Sequence, residues 1–203
     1  MKKIIGILVC MLFFGTIFSQ ITLAGDENDP EFTDDEKDVK MWFIFKGPFV
    51  NALFNNLDII SCWFHENPED PNNFYITIKI KQIRFGFFNT TYIAMWEYND
   101  QYYSALCRHR LFNTQVYADI RYAVGSMLYI YETTAEADVV KNTITITIPK
   151  NYVGNVSAGD VLSNATITTA LLPNQIKFLE LFPILSLIGY DEILDGRDYT
   201  IQY

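Results

Sequence analysis

The stretch Phe74-Tyr75-Ile76-Thr77-Ile78-Lys79-Ile80-Lys81 decides the fold of this chain. Phenylalanine or isoleucine occupies every second position, and tyrosine, threonine or lysine lies between them. Successive side chains of a strand point to opposite sides, so this alternation gives one apolar and one polar face. Thr143–Ile148 repeats the pattern with threonine and isoleucine. Both stretches predict strands with one buried and one solvated face.

Similar runs of β-branched and aromatic residues recur along the rest of the chain. They predict further strands at Leu57–Phe64, Thr91–Tyr98, Tyr102–Arg108, Gln115–Tyr122, Met127–Thr133, Ala165–Leu171 and Tyr199–Gln202. Asn99-Asp100 lies between two of these runs and favours a tight hairpin with a two-residue turn. Such a turn sets Trp96 opposite Tyr103, and Tyr92 opposite Cys107.

The spacing of these strands predicts the fold class. Many short strands at roughly even intervals, with no long amphipathic helix between them, are typical of an all-β antiparallel sandwich of the jelly-roll or immunoglobulin-like type. At most one short helix is expected, near residues 175–187.

The first residues indicate export. Lys2 and Lys3 precede the uncharged run Ile4–Phe18, and the small residue Ala24 precedes an acidic stretch. This order is the signature of a secretory signal peptide. The run is shorter than the about 20 apolar residues that span a bilayer, although retention as an anchor is the alternative. A secreted, extracellular or cell-surface protein is therefore predicted.

The chain divides into three predicted parts. Residues 1–24 are the signal peptide, and residues 25–40, rich in Asp and Glu, form a flexible acidic leader that is too poor in apolar residues to order itself. Residues 41–203 form a single sandwich domain. The most apolar later stretch, Leu181–Gly189, is too short to cross a bilayer, so no stable membrane span is expected after cleavage.

Net charge narrows the class of partner. Cleavage removes two of the 15 basic residues, which leaves 13 against 24 acidic residues and a formal charge of −11. An acidic protein repels other polyanions, so nucleic acid and anionic lipid are poor partners. Neutral polymers and divalent cations are better ones, although acidity that serves solubility alone is the alternative.

Two cysteines remain after cleavage, Cys62 and Cys107. An even number of cysteines in an exported chain favours a disulfide. The alternative is a pair of buried free thiols, which pack as small apolar side chains.

Metal and catalytic signals are weak. Calcium is a possible ligand of the acidic loop His65–Asp70, or of the cluster formed by Asp191, Asp195 and Asp198, but neither matches a known calcium loop. No other cofactor is expected. The chain contains two histidines, His65 and His109, and lacks the Gly-x-Ser-x-Gly and His-Glu-x-x-His motifs. A non-enzymatic protein is therefore predicted.

Surface features suggest where ligands and glycans attach. Tyr75 and Lys79 occupy the polar face of their predicted strand, and Tyr117 occupies the polar face of another predicted strand. Exposed tyrosine rings can stack on sugars, so these three residues are the predicted binding residues, against the alternative of tyrosines with no role. Glycosylation sequons begin at three further positions, Asn89, Asn155 and Asn164.

Part of the chain resembles a known group of sandwiches. Ile148-Pro149-Lys150, Gly154-Asn155 and Gly159-Asp160-Val161-Leu162, with the Phe74–Lys81 strand and the ending Asp198–Tyr203, resemble DOMON domains and family 9 carbohydrate-binding modules of secreted prokaryotic, especially archaeal, proteins. The resemblance implies a jelly-roll-like sandwich, and its members bind sugars or haem. No sugar-binding or haem-ligand motif of these families matches this chain residue by residue.

These observations together predict a secreted, non-enzymatic module that binds a saccharide or a cell-envelope polymer. The alternative is a structural subunit of a surface layer or extracellular filament, in which the acidic leader or an edge strand pairs with the next molecule. A secreted hydrolase is the third hypothesis.

Overall fold

The computed structural model describes residues 25–34, 39–41, 55–83, 89–109, 116–172, 189–193 and 198–203. The predicted signal peptide and the helix expected at 175–187 lie outside these ranges. The strands are β1 Phe32–Thr33, β2 Lys40–Met41, β3 Ile59–His65, β4 Asn73–Ile80, β5 Asn89–Tyr98, β6 Gln101–His109, β7 Val116–Val124, β8 Met127–Thr133, β9 Ala135–Asp138, β10 Thr143–Pro149, β11 Val161–Leu172, β12 Gly189–Ile193 and β13 Tyr199–Thr200. A 3-10 turn, Lys150–Tyr152, follows β10.

The strands form two antiparallel sheets, which confirms the predicted all-β, sandwich-like fold. The first sheet has the order β1-β3-β4-β10-β9, and the second has the order β2-β12-β11-β5-β6-β7-β8, with β13 beside β11. Strands β8 and β9 belong to different sheets and are separated by one residue, Thr134, where the chain passes from the second sheet to the first. None of the described residues forms a helix long and apolar enough to cross a membrane.

The two stretches that predicted the fold lie side by side at the centre of the first sheet. Strand β10 pairs with β4 so that Ile146 lies opposite Ile76 and Ile148 lies opposite Phe74. These four side chains are fully buried. Pairing apolar residues with apolar residues fixes the register, because a slip of one position would turn every apolar side chain to the other face.

The predicted hairpin between β5 and β6 is confirmed. Asn99 and Asp100 both have positive φ angles, 51° and 58°. This is the backbone of a type I′ turn, whose twist matches that of the two strands, and Asn and Asp tolerate it well. The turn sets Trp96 opposite Tyr103, and Tyr92 opposite Cys107, as predicted.

Aromatic rings fill the core between the sheets. The Phe64 ring, from β3, stacks on Tyr199 at a centroid distance of 5.2 Å and meets Trp96 of the second sheet edge-on at 6.4 Å. Phe32 and Phe74 complete the group around it, at 6.1 and 6.4 Å. Phe64 therefore joins both sheets and the short strands β1 and β13.

The described part of the predicted flexible leader, residues 25–34, contacts the first sheet, while the division of the chain into leader and domain stays a prediction. Strand β1 pairs with β3, placing Phe32 opposite Cys62, and Phe32 is 1% exposed. The acidic composition of this segment did not indicate this contact, which one phenylalanine makes beside the edge of the sheet.

The predicted disulfide between Cys62 and Cys107 is not formed. Both cysteines are free thiols buried in the core, one on each sheet. Burial raises the pKa of Cys107 to about 12 and also raises that of Cys62. The thiols therefore stay protonated and pack as small apolar side chains.

Candidate functional site

The two predicted binding tyrosines lie on opposite outer faces of the sandwich. Tyr75 lies between the core residues of β4, so it points outward from the first sheet, and Tyr117 does the same from β7 of the second sheet. Tyr117 is 42% exposed. Lys79, on the Tyr75 face, forms an ion pair with Glu27. The three predicted residues therefore do not form one binding surface.

The Tyr75 face is also less open than its alternating pattern predicted. The His65 and Tyr75 rings stack at 5.2 Å, and His65 Nε2 lies 3.0 Å from the Thr77 hydroxyl, which contacts Thr145 Oγ1 at 2.9 Å. Thr77 is only 4% exposed, although it was expected to be solvated. Cross-strand contacts on the outer face exclude water there.

A cleft of about 480 Å³ opens beside this face. The β3–β4 loop, the β10–β11 loop and the last residue form its walls. They contribute Pro71, Asn72, Asn73, Pro149, Lys150, Asn151, Asn155, Val156, Ser157, Ala158 and Tyr203. Asparagines and small apolar residues form most of these walls, and the exposed residue Tyr203 contributes to one side. This cleft is the candidate functional site.

A buried ion pair supports the floor of the cleft. Lys150 Nζ lies 3.5 Å from Glu66 Oε2 and donates a hydrogen bond to the Tyr203 carbonyl oxygen. The Glu66 carboxylate accepts the backbone N–H groups of Gln202 and Tyr203 at 3.1 and 2.8 Å. Lys150 is the charged residue among the described lining residues, and Glu66 balances it. Two further carboxylates, Asp70 and Asp160, lie beside the same walls, where they accept hydrogen bonds from the lining residues Asn73 and Ser157.

The β3–β4 loop is held by Asp70. Its Oδ2 atom accepts hydrogen bonds from Tyr75 Oη at 2.6 Å and from Asn73 Nδ2 at 2.8 Å. These hydrogen bonds lower the pKa of Asp70, and the bond to Asp70 raises the pKa of Tyr75 to about 12. Tyr75 therefore positions one wall of the cleft.

The β10–β11 loop is held at both ends. Val156 is buried, and the Asp160 carboxylate accepts the Ser157 N–H and the Tyr98 hydroxyl, each at 2.8 Å. The hydrogen bond from the Ser157 backbone N–H makes the largest contribution to lowering the pKa of Asp160, and the one from the Tyr98 hydroxyl lowers it further. Gly154 has a φ of 86°, and a Cβ there would lie 3.1 Å from the Tyr98 ring. The loop therefore needs glycine at that position to pack against β5.

Three exposed asparagines, Asn72, Asn151 and Asn155, line the cleft. Their amides make no side-chain hydrogen bond to another residue that the structure describes. Each amide carries both donors and an acceptor. Sequence reasoning missed this group because its members come from two loops.

A row of stacked tyrosines crosses the second sheet and reaches the 3-10 turn after β10. Tyr103, Tyr122 and Tyr129 follow one another across β6, β7 and β8 at centroid distances of 5.4 and 4.9 Å. Tyr131 then stacks on Tyr152, in the 3-10 turn, at 4.6 Å. A hydrogen bond with Tyr131 and neighbouring tyrosines raise the pKa of Tyr122 to about 12. In the sequence, Tyr129 and Tyr131 are two positions apart and follow Tyr122 after a short turn. This spacing places the three tyrosines on one face of two paired strands, and it could have predicted the row.

The sequons fall in different surroundings. Asn155 lines the cleft, while Asn164 is exposed at a bulge of β11 and donates to Glu97 Oε2 at 2.8 Å. Asn89 begins β5, and its side chain lies outside the described residues. Glycosylation at the three sites stays a prediction.

The acidic residues near the predicted calcium sites mostly face the protein itself. Glu66 and Asp70 bind backbone and side-chain groups as described above, and Asp191 is buried with Oδ2 2.8 Å from the Ile59 N–H. Across the described ranges, no three His, Cys, Asp or Glu residues converge as metal ligands. Asp195 lies outside those ranges, so calcium binding stays a prediction.

The fold agrees with the sandwich that the resemblance to DOMON domains and family 9 carbohydrate-binding modules implies, because both consist of two antiparallel sheets. Comparisons with protein-family models, with curated proteins and with solved structures found no match to the chain. The description of the fold therefore rests on the two sheets and the core of this structure.

Proposed function

We propose that this chain is an exported saccharide-binding module whose asparagine-lined cleft holds one or two sugar units of an extracellular or cell-envelope polymer. The observation that carries the proposal is a set of exposed asparagines around one cleft, Asn72, Asn151 and Asn155, whose amides bond to none of the described residues. The sandwich fold adds support, because the carbohydrate-binding modules that the sequence resembles have this architecture.

The chemistry of the cleft suits a sugar. Each amide offers donors and acceptors together, as a ring of hydroxyl groups requires. The exposed Tyr203 ring supplies a flat apolar surface for the C–H face of a pyranose. A volume of about 480 Å³ lies within the usual range of small-molecule sites. Because Glu66 balances Lys150, a neutral sugar fits better than an anion.

We expect Asn151→Ala and Tyr203→Ala each to weaken retention on the polysaccharide or envelope fraction by about tenfold, the loss of about 1.4 kcal/mol of binding free energy. Asn151 loses an amide that faces the cleft, and Tyr203 loses its ring while its backbone groups keep their contacts with Lys150 and Glu66. Pull-down of the mature protein on a panel of insoluble neutral glycans, followed by titration of the best one, gives the measurement.

Tyr117→Ala is the matched control, because it removes an exposed tyrosine from the outer face of the other sheet. It should bind like the wild type. The proposal fails if Tyr117→Ala alone weakens binding, or if folded Asn151→Ala and Tyr203→Ala are retained as strongly as the wild type.

Strand β8 favours a second candidate function, a structural subunit that assembles through this strand. It is an edge of the second sheet and pairs with β7 and no other strand of the described chain. Four consecutive residues, Met127, Leu128, Tyr129 and Ile130, are large, apolar and exposed. Exposed apolar edge strands pair readily with another chain, and natural proteins usually protect them with charges or proline.

A second copy of this chain is the occupant that fits β8 best. Antiparallel pairing of two copies about Tyr129 sets Leu128 of one copy opposite Ile130 of the other, and Met127 opposite Tyr131. The same register places Glu132 opposite Ser126, so no like charges meet. Two strongly acidic chains can therefore associate here without direct charge repulsion.

Ile130→Lys is expected to abolish concentration-dependent dimers, because it puts a charge in the middle of the paired edge. Val140→Lys makes the same chemical change at an exposed turn, where Val140 is 93% accessible, and should leave dimers intact. Sedimentation velocity over a wide range of protein concentration distinguishes the two. A wild-type protein that stays monomeric throughout would remove this candidate.

A further inference from the structure

The backbone nitrogen of Gly25 is bound by the acidic side chain of Glu31. The residues that follow Gly25 are exposed and mostly acidic, so the sequence did not predict this contact. Gly25 is buried, and its backbone nitrogen donates a hydrogen bond to Glu31 Oε1 at 2.9 Å. The other oxygen, Glu31 Oε2, accepts the Phe64 N–H at 2.9 Å. The Glu31 carboxylate therefore links the first described residue to strand β3.

The Gly25 backbone lies in close contact with the Glu31 carboxylate group. A Cβ built at this position would overlap the Glu31 carboxylate group. Any side chain would push that carboxylate away from both of its N–H donors. Glycine at this position therefore lets the backbone nitrogen and the Glu31 carboxylate approach without displacing either.

Gly25 is also the residue that the signal-peptide pattern places directly after the cleavage site. We propose that Glu31 is a docking site for the α-ammonium group that export-linked cleavage of the Ala24–Gly25 bond creates. In this hydrolysis by a signal peptidase, water adds its hydroxyl to the Ala24 carbonyl carbon and the Gly25 nitrogen takes up protons to become the ammonium. The proposal depends on the predicted export and is independent of saccharide binding.

Cleavage strengthens the contact without moving the chain. Before cleavage the Gly25 nitrogen is a neutral amide with one proton, and afterwards it is a cation with three. A hydrogen bond between charged groups is roughly twice as strong as one between neutral groups. Because Glu31 also binds Phe64 N–H and because β1 follows it directly, the ion pair tightens the attachment of β1 to the sheet.

The charges near this contact are mostly negative. Asp26 and Asp29 lie in the same turn, and Glu27 is paired with Lys79 of β4. On the core side, burial raises the pKa of Cys62, with Glu31 as a second cause. The pKa of Tyr199 is raised mainly by burial, then by the negative charge of Glu66, and then by that of Glu31. A cation at Gly25 relieves this concentration of negative charge.

The contact predicts a definite dependence on pH. An α-amino group has an ordinary pKa of about 7.7–8.0, and pairing with Glu31 raises the value in the folded state. The added stability is therefore complete below about pH 7.7, the unfolded value, and is lost as the pH rises through the raised folded value. Protonation of Glu31 at strongly acidic pH removes it as well.

The test compares the mature chain that begins at Gly25 with the same chain extended by Ala24, each with Glu31 or with Glu31→Gln. At pH 7 we expect the mature chain to melt about 2–4 °C higher than the extended chain. The difference should disappear at pH 11 and in the Glu31→Gln pair, where the glutamine keeps an acceptor for Phe64 N–H but carries no charge. Mass spectrometry of the exported protein should show Gly25 as its first residue.

Three results would overturn the proposal. One is equal melting temperatures of the mature and extended chains at pH 7. Another is a difference that persists unchanged in Glu31→Gln, since a contact with the neutral side chain would then explain it. The last is an exported protein that begins at a residue other than Gly25. Retention on glycans, measured on the same samples, reports on the cleft separately.

Discussion

Phe64→Ala should lower the free energy of unfolding by about 3–5 kcal/mol. The Phe64 ring is fully buried and contacts aromatic rings of β1, β4, β5 and β13, at centroid distances of 6.1, 6.4, 6.4 and 5.2 Å. Removing it leaves a cavity bounded by both sheets, and a core built from stiff rings collapses poorly into such a space. Urea unfolding followed by tryptophan fluorescence measures the loss.

Tyr117→Ala serves as the control, because this exposed side chain leaves no cavity and should change stability by less than about 1 kcal/mol. Phe64→Leu should lose less than Phe64→Ala, since most of the volume is kept. A loss below about 1 kcal/mol for Phe64→Ala would show that the two sheets do not pack through this ring.

Glu66→Ala should also destabilise the protein by about 3–5 kcal/mol, because it leaves the Lys150 ammonium buried without its counter-charge. The side chains of Lys150 and Glu66 are 9% and 1% accessible. The same substitution leaves the Gln202 and Tyr203 N–H groups without their acceptor. Thermal and urea unfolding at pH 7 both report the change.

The double variant Glu66→Gln with Lys150→Met is the informative companion. It removes both charges, keeps side chains of similar size and lets the glutamine oxygen accept the two backbone N–H groups. We expect it to be more stable than Glu66→Ala, since no charge is left buried alone. If Glu66→Ala were as stable as the wild type, the ion pair would not support the floor of the cleft.

The cleft shows why a binding site is harder to infer than a strand. Its amides come from Asn72 at one end of β4 and from Asn151 and Asn155 after β10, and Tyr203 joins them from the end of the chain. No local pattern relates these positions. Tyr75, chosen because its strand alternates, instead supports the cleft wall through Asp70.

The sequence alone determined those features that depend on neighbours in the chain. Alternation set the faces of β4 and β10, and Asn99-Asp100 set the turn and the register that pairs Trp96 with Tyr103. These follow from backbone geometry, because side chains alternate along any strand and a two-residue turn permits few registers.

The tertiary structure alone decided the features that depend on distant parts of the chain. It put Cys62 and Cys107 in different sheets as free thiols, drew Phe32 of the acidic segment into the core, and gathered the cleft from two loops and Tyr203. Composition cannot reveal such contacts, because burial depends on the free sheet edge or facing sheet that the rest of the fold provides.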